Sequence, residues 1–475
     1  MAADLDRASP ADRALADAEP SVFWTQDAAL DALPSLSEAG NHGGNEADLL
    51  VIGGGFTGLW AAIEAKRADP SRSVVLVEGD RIASGASGRN GGFISESLTH
   101  GLAHGMSLWP QEMPTLLRMG RENLDEIDLL LQEHRIDASL QRRGKSVVAL
   151  SEAQFHGLEP AWQLAVASGE QAELLDAQQA RADVHSPTYA GALRVRTGSG
   201  TVHPGRLAAG LAHLARSLGV AMYERSKIAS LAVDRAGLVA RTEQGRIRAR
   251  RAILATNASP PLLRRLRMRI VPVLDHVLVT EPLTPEQRTS IGWLDEQGLT
   301  DPANRFHYYR VTPDGRILFG GYDATYHFRG ASRPDDPARM RSYQTLATHF
   351  MQTFPQLEGL RFSHRWFGAI DTTSRFTPFF GTAYAGRLAY AVGFTGLGVG
   401  SSRFAARIAL DLAEGQSTER TRLQMVRRLP VPFPPEPLRY PVIRLTQAAL
   451  EAEDRTGRRG AYLRLLDRLK VGFAS

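Results

Sequence analysis

The sequence predicts an α/β fold built from a dinucleotide-binding unit dispersed along the chain, a separate antiparallel sheet and a helical C-terminal extension. Three observations carry this. Leu49 to Ile52 is an apolar run of strand length that enters Gly53-Gly54-Gly55-Phe56-Thr57-Gly58 and then the helical run Leu59 to Ile63. A second apolar run, Val74 to Val77, ends in Glu78. Between residues 270 and 321, strand-rich segments joined by the turn Pro313-Asp314-Gly315 replace the alternating pattern.

The βαβ unit assigns each residue a task. Gly53 permits the tight turn, Gly55 brings backbone close to a pyrophosphate at the helix N-terminus beside Phe56 and Thr57, and Gly58 lets helix and strand pack. Glu78, followed by Gly79, is placed to accept hydrogen bonds from ribose hydroxyls. FAD and NAD both fit at this point.

At 475 residues with 43% hydrophobic content, the chain can bury a large core. The net charge of +5 does not point to nucleic acid, because lysine occurs only at Lys66, Lys145, Lys227 and Lys470 and the arginines are scattered among acids. Without cysteine there is no disulfide, thiolate metal site or cysteine-tethered cofactor. The thirteen histidines show no ligand spacing, so no metal is expected. Residues 1–44, rich in Ala, Asp and Ser, read as a flexible segment without the apolar core of a signal peptide. With no apolar run of about 18 residues, a cytoplasmic protein rather than a membrane one is expected.

A second glycine-rich segment, Ser84-Gly85-Ala86-Ser87-Gly88-Arg89-Asn90-Gly91-Gly92-Phe93, lies where the rest of a dinucleotide must pass. Met113 to His134 has helical spacing, with core packing as its full explanation. From Gly200 the α/β pattern returns, with His203-Pro204 leading into a helix over 206–218, a strand over 220–224 and a hairpin over 238–248. A buried strand follows, ending in Ala255-Thr256-Asn257-Ala258. Leu388 to Val392 is a strand that enters Gly393-Phe394-Thr395-Gly396-Leu397-Gly398-Val399-Gly400 and a helix over 401–414, whose N-terminus offers a positive dipole end. Beyond a proline-rich brace at 430–441, helices are expected over 442–452 and 460–469, packing on the body or on a second subunit.

Together these motifs, from about Ala47 to Glu414, resemble the FAD-dependent amine and amino-acid oxidoreductases of the D-amino-acid oxidase and glycine oxidase superfamily. Thr280-Glu281-Pro282-Leu283 and Asp314 to Gly321 add to the likeness, and the Ala86 to Gly92 run is most like that of gamma-glutamylputrescine oxidases. The resemblance implies a discontinuous Rossmann-like FAD domain (45–100, 195–265 and 385–420), a substrate domain (101–194 and 266–384) and an extension (421–475). It implies FAD contacts from Gly53, Gly55, Phe56, Thr57, Gly58, Glu78, Gly79, Ser84, Ser87, Arg89, Asn90, Gly91, Gly92, Ile228, Ala255, Thr256, Gly393, Gly396, Leu397 and Gly398. The FAD is expected to be noncovalent, because the first glycine loop lacks the histidine of tethered relatives.

The implied chemistry is oxidation of a C–N bond by hydride transfer to flavin N5, giving an imine that hydrolyses, with oxygen or another acceptor taking the electrons. Amino-acid oxidases of this fold hold the substrate carboxylate with an arginine where this chain has Ile370. An amine substrate is therefore expected, with Asp371 meeting a cationic amine or capping a turn. Arg310, in Tyr308-Tyr309-Arg310, is the remaining candidate anion clamp, with Tyr309 beside it as a catalytic candidate. Sarcosine oxidases carry a lysine where this chain has Leu318, so oxygen activation would need another cation, Arg310 or His327. An amino-acid or N-methyl-amino-acid oxidase clamped by Arg310, and a noncatalytic FAD-binding subunit, remain as alternatives. A homo-oligomer is also open.

Overall fold

The parallel strands of the first sheet are apolar on both faces, and that pattern decides where they lie. Leu49 to Ile52, Val74 to Val77, Ala252 to Leu254 and Leu388 to Val392 are all buried, as expected of strands covered on both sides. In this computed structural model, which describes residues 9–28, 30–38, 46–243, 245–328 and 337–472, they form the middle of an eight-stranded sheet. Its order is Phe379–Ala383, Leu388–Val392, Gly245–Leu254, Glu46–Ile52, Val74–Val77, Ala221–Tyr223. The last five run parallel, Phe379–Ala383 is an antiparallel edge, and the hairpin strands Ser230–Val233 and Leu238–Thr242 branch from Gly245–Leu254. Helices Phe56–Ala68, Met113–Glu133, Pro204–Ser217 and Gly398–Glu414 contribute Trp60, Leu124, Leu211 and Phe404 to one core on this sheet.

The second sheet has the order Phe362–Thr372, Val271–Thr280, Ile317–Gly321, His307–Val311, Gly298–Thr300, Lys145–Ala149, Gly191–Val195, Ala172–Asp176. All its pairings are antiparallel except that between Gly298–Thr300 and Lys145–Ala149. Helix Pro337–Thr353 covers its outer face, where Tyr343, Leu346 and Phe350 pack with Leu278, Tyr309 and Phe319.

Three expectations change. The described part of 1–44 packs on the body: helices Pro10–Leu15 and Phe23–Asp27 bury Leu15 and Trp24, and the Trp24 indole donates to the Asn90 carbonyl at 2.8 Å. Its small residues are helix-packing residues, with Ser9 capping the first helix. Helix Met113–Glu133, within the stretch assigned to the substrate domain, packs instead on the first sheet's helices. Strand Phe379–Ala383, placed in the same domain, pairs with Leu388–Val392.

The C-terminal helices, Arg439–Thr456 and Ala461–Arg468, lie on the second-sheet side. Asp454 accepts from the backbone of Asn304 and Arg305, and Glu436 from the Tyr326 hydroxyl. Among the described residues no helix is long and apolar enough to cross a membrane.

Candidate active site

In open α/β sheets, ligands bind beyond the carboxyl ends of the strands. Four parallel strands end at Ile52, Val77, Leu254 and Val392, and the residues that follow are Gly53, Glu78, Ala255 and Gly393. Segments up to 340 residues apart in sequence therefore meet along one edge.

At the first of them, contact excludes any side chain. A Cβ on Gly53 (φ +113°) would stand 2.4 Å from the Ala255 oxygen, and one on Gly58 only 1.9 Å from the Gly53 oxygen. Helix Phe56–Ala68 begins with no side-chain cap, leaving backbone N–H groups free for an anion, while Ser87 Oγ accepts from Phe56 N at 2.9 Å. Glu78 accepts from Gly54 N at 2.6 Å and Asp80 N at 2.9 Å, and burial raises its pKa. Gly79 packs against the Lys227 stem, and the neighbouring Ile228 side chain belongs to the core beneath the sheet.

The second glycine loop is held by its own side chains. Asn90 donates to the carbonyls of Ala86 and Ser87 and accepts from Gly92 N. Arg89 spans from Ser84 O, at 2.7 Å, to Phe367 O on the second sheet, at 3.1 Å. Burial lowers the Arg89 pKa.

Asp371 fastens the third segment. Its carboxylate accepts from Gly393 N and Thr395 N, and the Asn257 amide, in the orientation that satisfies both groups, donates to both its oxygens. Burial pushes this carboxyl up to about 7 against those donors. Of the two readings of Asp371, the geometry supports turn capping, because its acceptors are taken up by backbone and Asn257. His100 Nε2 bonds the Thr395 carbonyl at 2.6 Å and flanks Gly396 (φ +94°). Leu397 is the uncapped start of helix Gly398–Glu414. Thr256 lies between Ala255 and Asn257 on the neighbouring strand end.

Two expectations for the second sheet are corrected. Arg310 is 1% exposed and donates to the carbonyls of Gly92 at 3.0 Å, Val202 at 2.6 Å and Val311 at 3.2 Å. Burial lowers its pKa to about 9, and its guanidinium lies 5.6 Å from the Trp24 ring. It is a brace for the glycine loop, and a carboxylate cannot reach it. Tyr309 points to the opposite face, where its hydroxyl meets that of Tyr189 at 2.8 Å beneath helix Pro337–Thr353.

The residue facing the loop is Tyr308, which sequence reasoning passed over. Its ring fits between two glycines: a Cβ on Gly320 would lie 2.6 Å from Cζ, and one on Gly91 2.5 Å from Cε2. Crossing Gly320, the hydroxyl donates to Asp275 Oδ2 at 2.5 Å. Asp275 pairs with Gly368, two residues before Ile370 on the same face. Burial raises the Asp275 carboxyl to about 6 and lifts the Tyr308 phenol well above its usual range. The position of Asp275, mid-strand in Val271–Thr280, was its one legible signal: an acid, next to His276, with Val and Leu on both sides.

The family model described as FAD dependent oxidoreductase (DAO) matches residues 48–412, which span all four strand ends and the Tyr308–Asp275 pair. The chain belongs to this family. Gamma-glutamylputrescine oxidoreductase of Escherichia coli K12 is 32% identical over 423 residues, covering 86% of this chain and 93% of the relative. The probable oxidoreductase OrdL of Haemophilus influenzae is 30% identical over 394 residues, 81% of this chain and 86% of its own. Among solved structures, glycine oxidase from Geobacillus kaustophilus superposes with a TM-score of 0.68 at 21% identity, covering 81% of this chain and all of that one. The DAO-family chain is thus an FAD-dependent oxidoreductase. The uncapped helix starts, and a turn packed too closely for side chains at Gly53 and Gly58, fit such a cofactor.

Proposed function

We propose that this protein oxidises the C–N bond of an amine, and that Asp275 with Tyr308 recognises the nitrogen. The observation that supports this reading is a part-buried acid, held by a tyrosine, on the loop-facing side of the substrate sheet. Ile370 stands in place of a carboxylate-binding arginine, and Arg310 is bonded to backbone carbonyls. A carboxylate next to the reacting carbon would meet Asp275 as a like charge, whereas an ammonium meets its complement.

Gly53 to Gly58, Glu78, Ser87 to Gly92 and Gly393 to Gly398 would hold FAD noncovalently, and the cofactor would supply the acceptor for the two electrons. The chain's own residues bind and orient. Ionised Asp275 attracts the ammonium, and the Tyr308 hydroxyl, donating to the same carboxylate, fixes the oxygen that receives it. Desolvation in this site lowers the ammonium pKa, so that a proton passes to Asp275 Oδ and the nitrogen lone pair becomes available. The imine product hydrolyses to a carbonyl compound and a released amine or ammonia. Oxygen or another acceptor would take the electrons onward.

The pH profile tests this. Asp275 acts ionised, so kcat/KM for an amine should rise as pH increases through about 6. In Asp275→Asn the inflection near 6 should vanish and kcat/KM should fall about 100-fold or more, with flavin content retained. An unchanged profile in that variant contradicts the reading.

A further inference from the structure

The C-terminal helices, expected to bury their leucines, divide them between two faces. In Ala461–Arg468, Leu463 is buried, while Leu465 and, just past the helix, Leu469 are 52% and 58% exposed. At about 100° per residue these two share the outward face with Arg464 and Arg468, and no acid stands among them. Of the seventeen large apolar side chains exposed on the described residues, eight lie between 429 and 469. Single exposed leucines are ordinary on a protein surface, but such a concentration marks an interaction site.

Charge is sorted in the same segment. Residues 421–472 hold eleven basic and five acidic side chains. Every acid is engaged: Glu436 accepts from Tyr326, Glu451 pairs with Arg305 at 3.0 Å, Asp454 takes the backbone of Asn304 and Arg305, and Glu453 and Asp467 share Arg459. Among the described residues, Arg459 is the only one of the eleven bases in an ion pair. It also ties helix Arg439–Thr456 to Ala461–Arg468, as does the contact between the Tyr462 and Thr446 hydroxyls at 2.9 Å. The acids thus fasten the extension to itself and to the body, and the surplus positive charge lies outward.

The patch continues past the helices. Gly472 N donates to Ser374 O and Ser374 Oγ to Val431 O, both at 2.7 Å, so the end of the last helix meets the proline-rich brace. Along that brace Leu429 and Val431 are exposed on either side of buried Pro430, whose carbonyl accepts from Arg269. Leu429 borders a cavity of about 400 Å³ lined also by Arg265, Arg269, Arg427, Phe380 and Tyr390. None of these three arginines has an ion pair among the described residues, nor do the exposed Arg264 and Arg267 on the short helix Arg264–Met268 beside it.

We propose that the C-terminal extension docks this protein on an anionic phospholipid surface. Leu465 and Leu469 enter the boundary between headgroups and acyl chains, Arg464 and Arg468 lie among the headgroups, and the cavity at Arg265, Arg269 and Arg427 takes a headgroup phosphate. An anionic bilayer supplies, over the whole width of the patch, the two things it lacks: negative charge and an apolar layer beneath. A second copy of the chain is the poorer occupant, because a two-fold contact would set these arginines against their own equivalents. The protein lies on such a surface, since no helix among the described residues is long and apolar enough to cross it.

The test uses the FAD-loaded full chain and vesicles of phosphatidylcholine, alone or with about a third phosphatidylglycerol. Wild type should cosediment with the anionic vesicles at low salt, about 30-fold better than with the neutral ones, and come off as salt rises past about 0.5 M. In Arg464→Glu/Arg468→Glu the partition should fall about 30-fold, and in Leu465→Ser/Leu469→Ser about tenfold, with flavin content and melting temperature kept because these side chains are exposed. The chain has no cysteine, so Leu469→Cys accepts a single polarity-sensitive dye. Its emission should shift to the blue on anionic vesicles, whereas the same dye on Leu129→Cys, exposed on helix Met113–Glu133, should not shift. No binding to anionic vesicles, equal binding to both kinds, or binding unchanged in the two double variants overturns the proposal. So does a dimer in lipid-free solution that Leu465→Ser/Leu469→Ser dissolves, which would give the face to a second copy.

Discussion

Removing the Arg310 guanidinium would leave the buried Val202 carbonyl without a donor and the Gly92 carbonyl with Val202 N alone. Losses of this kind cost about 2–4 kcal/mol. Arg310→Met should therefore lower the melting temperature and weaken FAD retention, while the KM for an amine in FAD-saturated enzyme stays within about threefold. A large rise in KM at unchanged melting temperature would return Arg310 to the role of a substrate clamp. The sequence made Arg310 and Tyr309 visible as polar residues on a strand, and alternation put Tyr308 and Arg310 on one face. It did not say which face the cofactor takes, because both are covered: one by helix Pro337–Thr353, the other by the glycine loop and Trp24. The Tyr308–Asp275 pair was hidden for a related reason. It joins residues 33 apart across an intervening strand, and only the missing side chain of Gly320 makes the contact possible.

At the scale of elements, strand Ile317–Gly321 shows how backbone shape controls the site. Gly320→Ala places a methyl 2.6 Å from Tyr308 Cζ, so the aromatic ring must tilt and the bond to Asp275 must lengthen. We expect kcat/KM for an amine to drop about 10–100-fold, with circular dichroism and flavin content near wild type. Full activity in this variant would show that the ring's placement is immaterial. Elements with a strong local signature were readable in advance: the parallel strands from their apolar runs, Met113–Glu133 and Pro204–Ser217 from helical spacing, and the hairpin at Pro313-Asp314-Gly315 from its turn. Strands Gly298–Thr300 and Ala172–Asp176 were not. They are short, and their pairing crosses other elements: Gly298–Thr300 joins the distant Lys145–Ala149, and Ala172–Asp176 meets Gly191–Val195 beyond helix Ala177–Asp183. Asp371 shows the same limit. Its acid was legible, but its engagement by Gly393, Thr395 and Asn257 depends on strands brought together by the whole fold.

Over the whole molecule, two eight-stranded sheets divide the work: one ends in the glycine segments that fit FAD, and the other sets the Tyr308–Asp275 pair against the loop at Gly91. The N-terminal segment completes the arrangement, since Trp24 binds the glycine loop through Asn90 and contributes with Val277 and Trp366 to the core behind it. Composition alone made that segment look unstructured, because alanine and serine are equally common in packed helices and in loose chain. The central claim is that this FAD-dependent oxidoreductase takes electrons from amines through a site that attracts a cation. Anaerobic titration of the purified yellow holoenzyme, followed in its visible absorption, tests it most directly. Stoichiometric bleaching by an ω-amino compound, with none by α-amino acids such as glycine or proline, is the result expected. Bleaching by α-amino acids and not by amines would contradict the account.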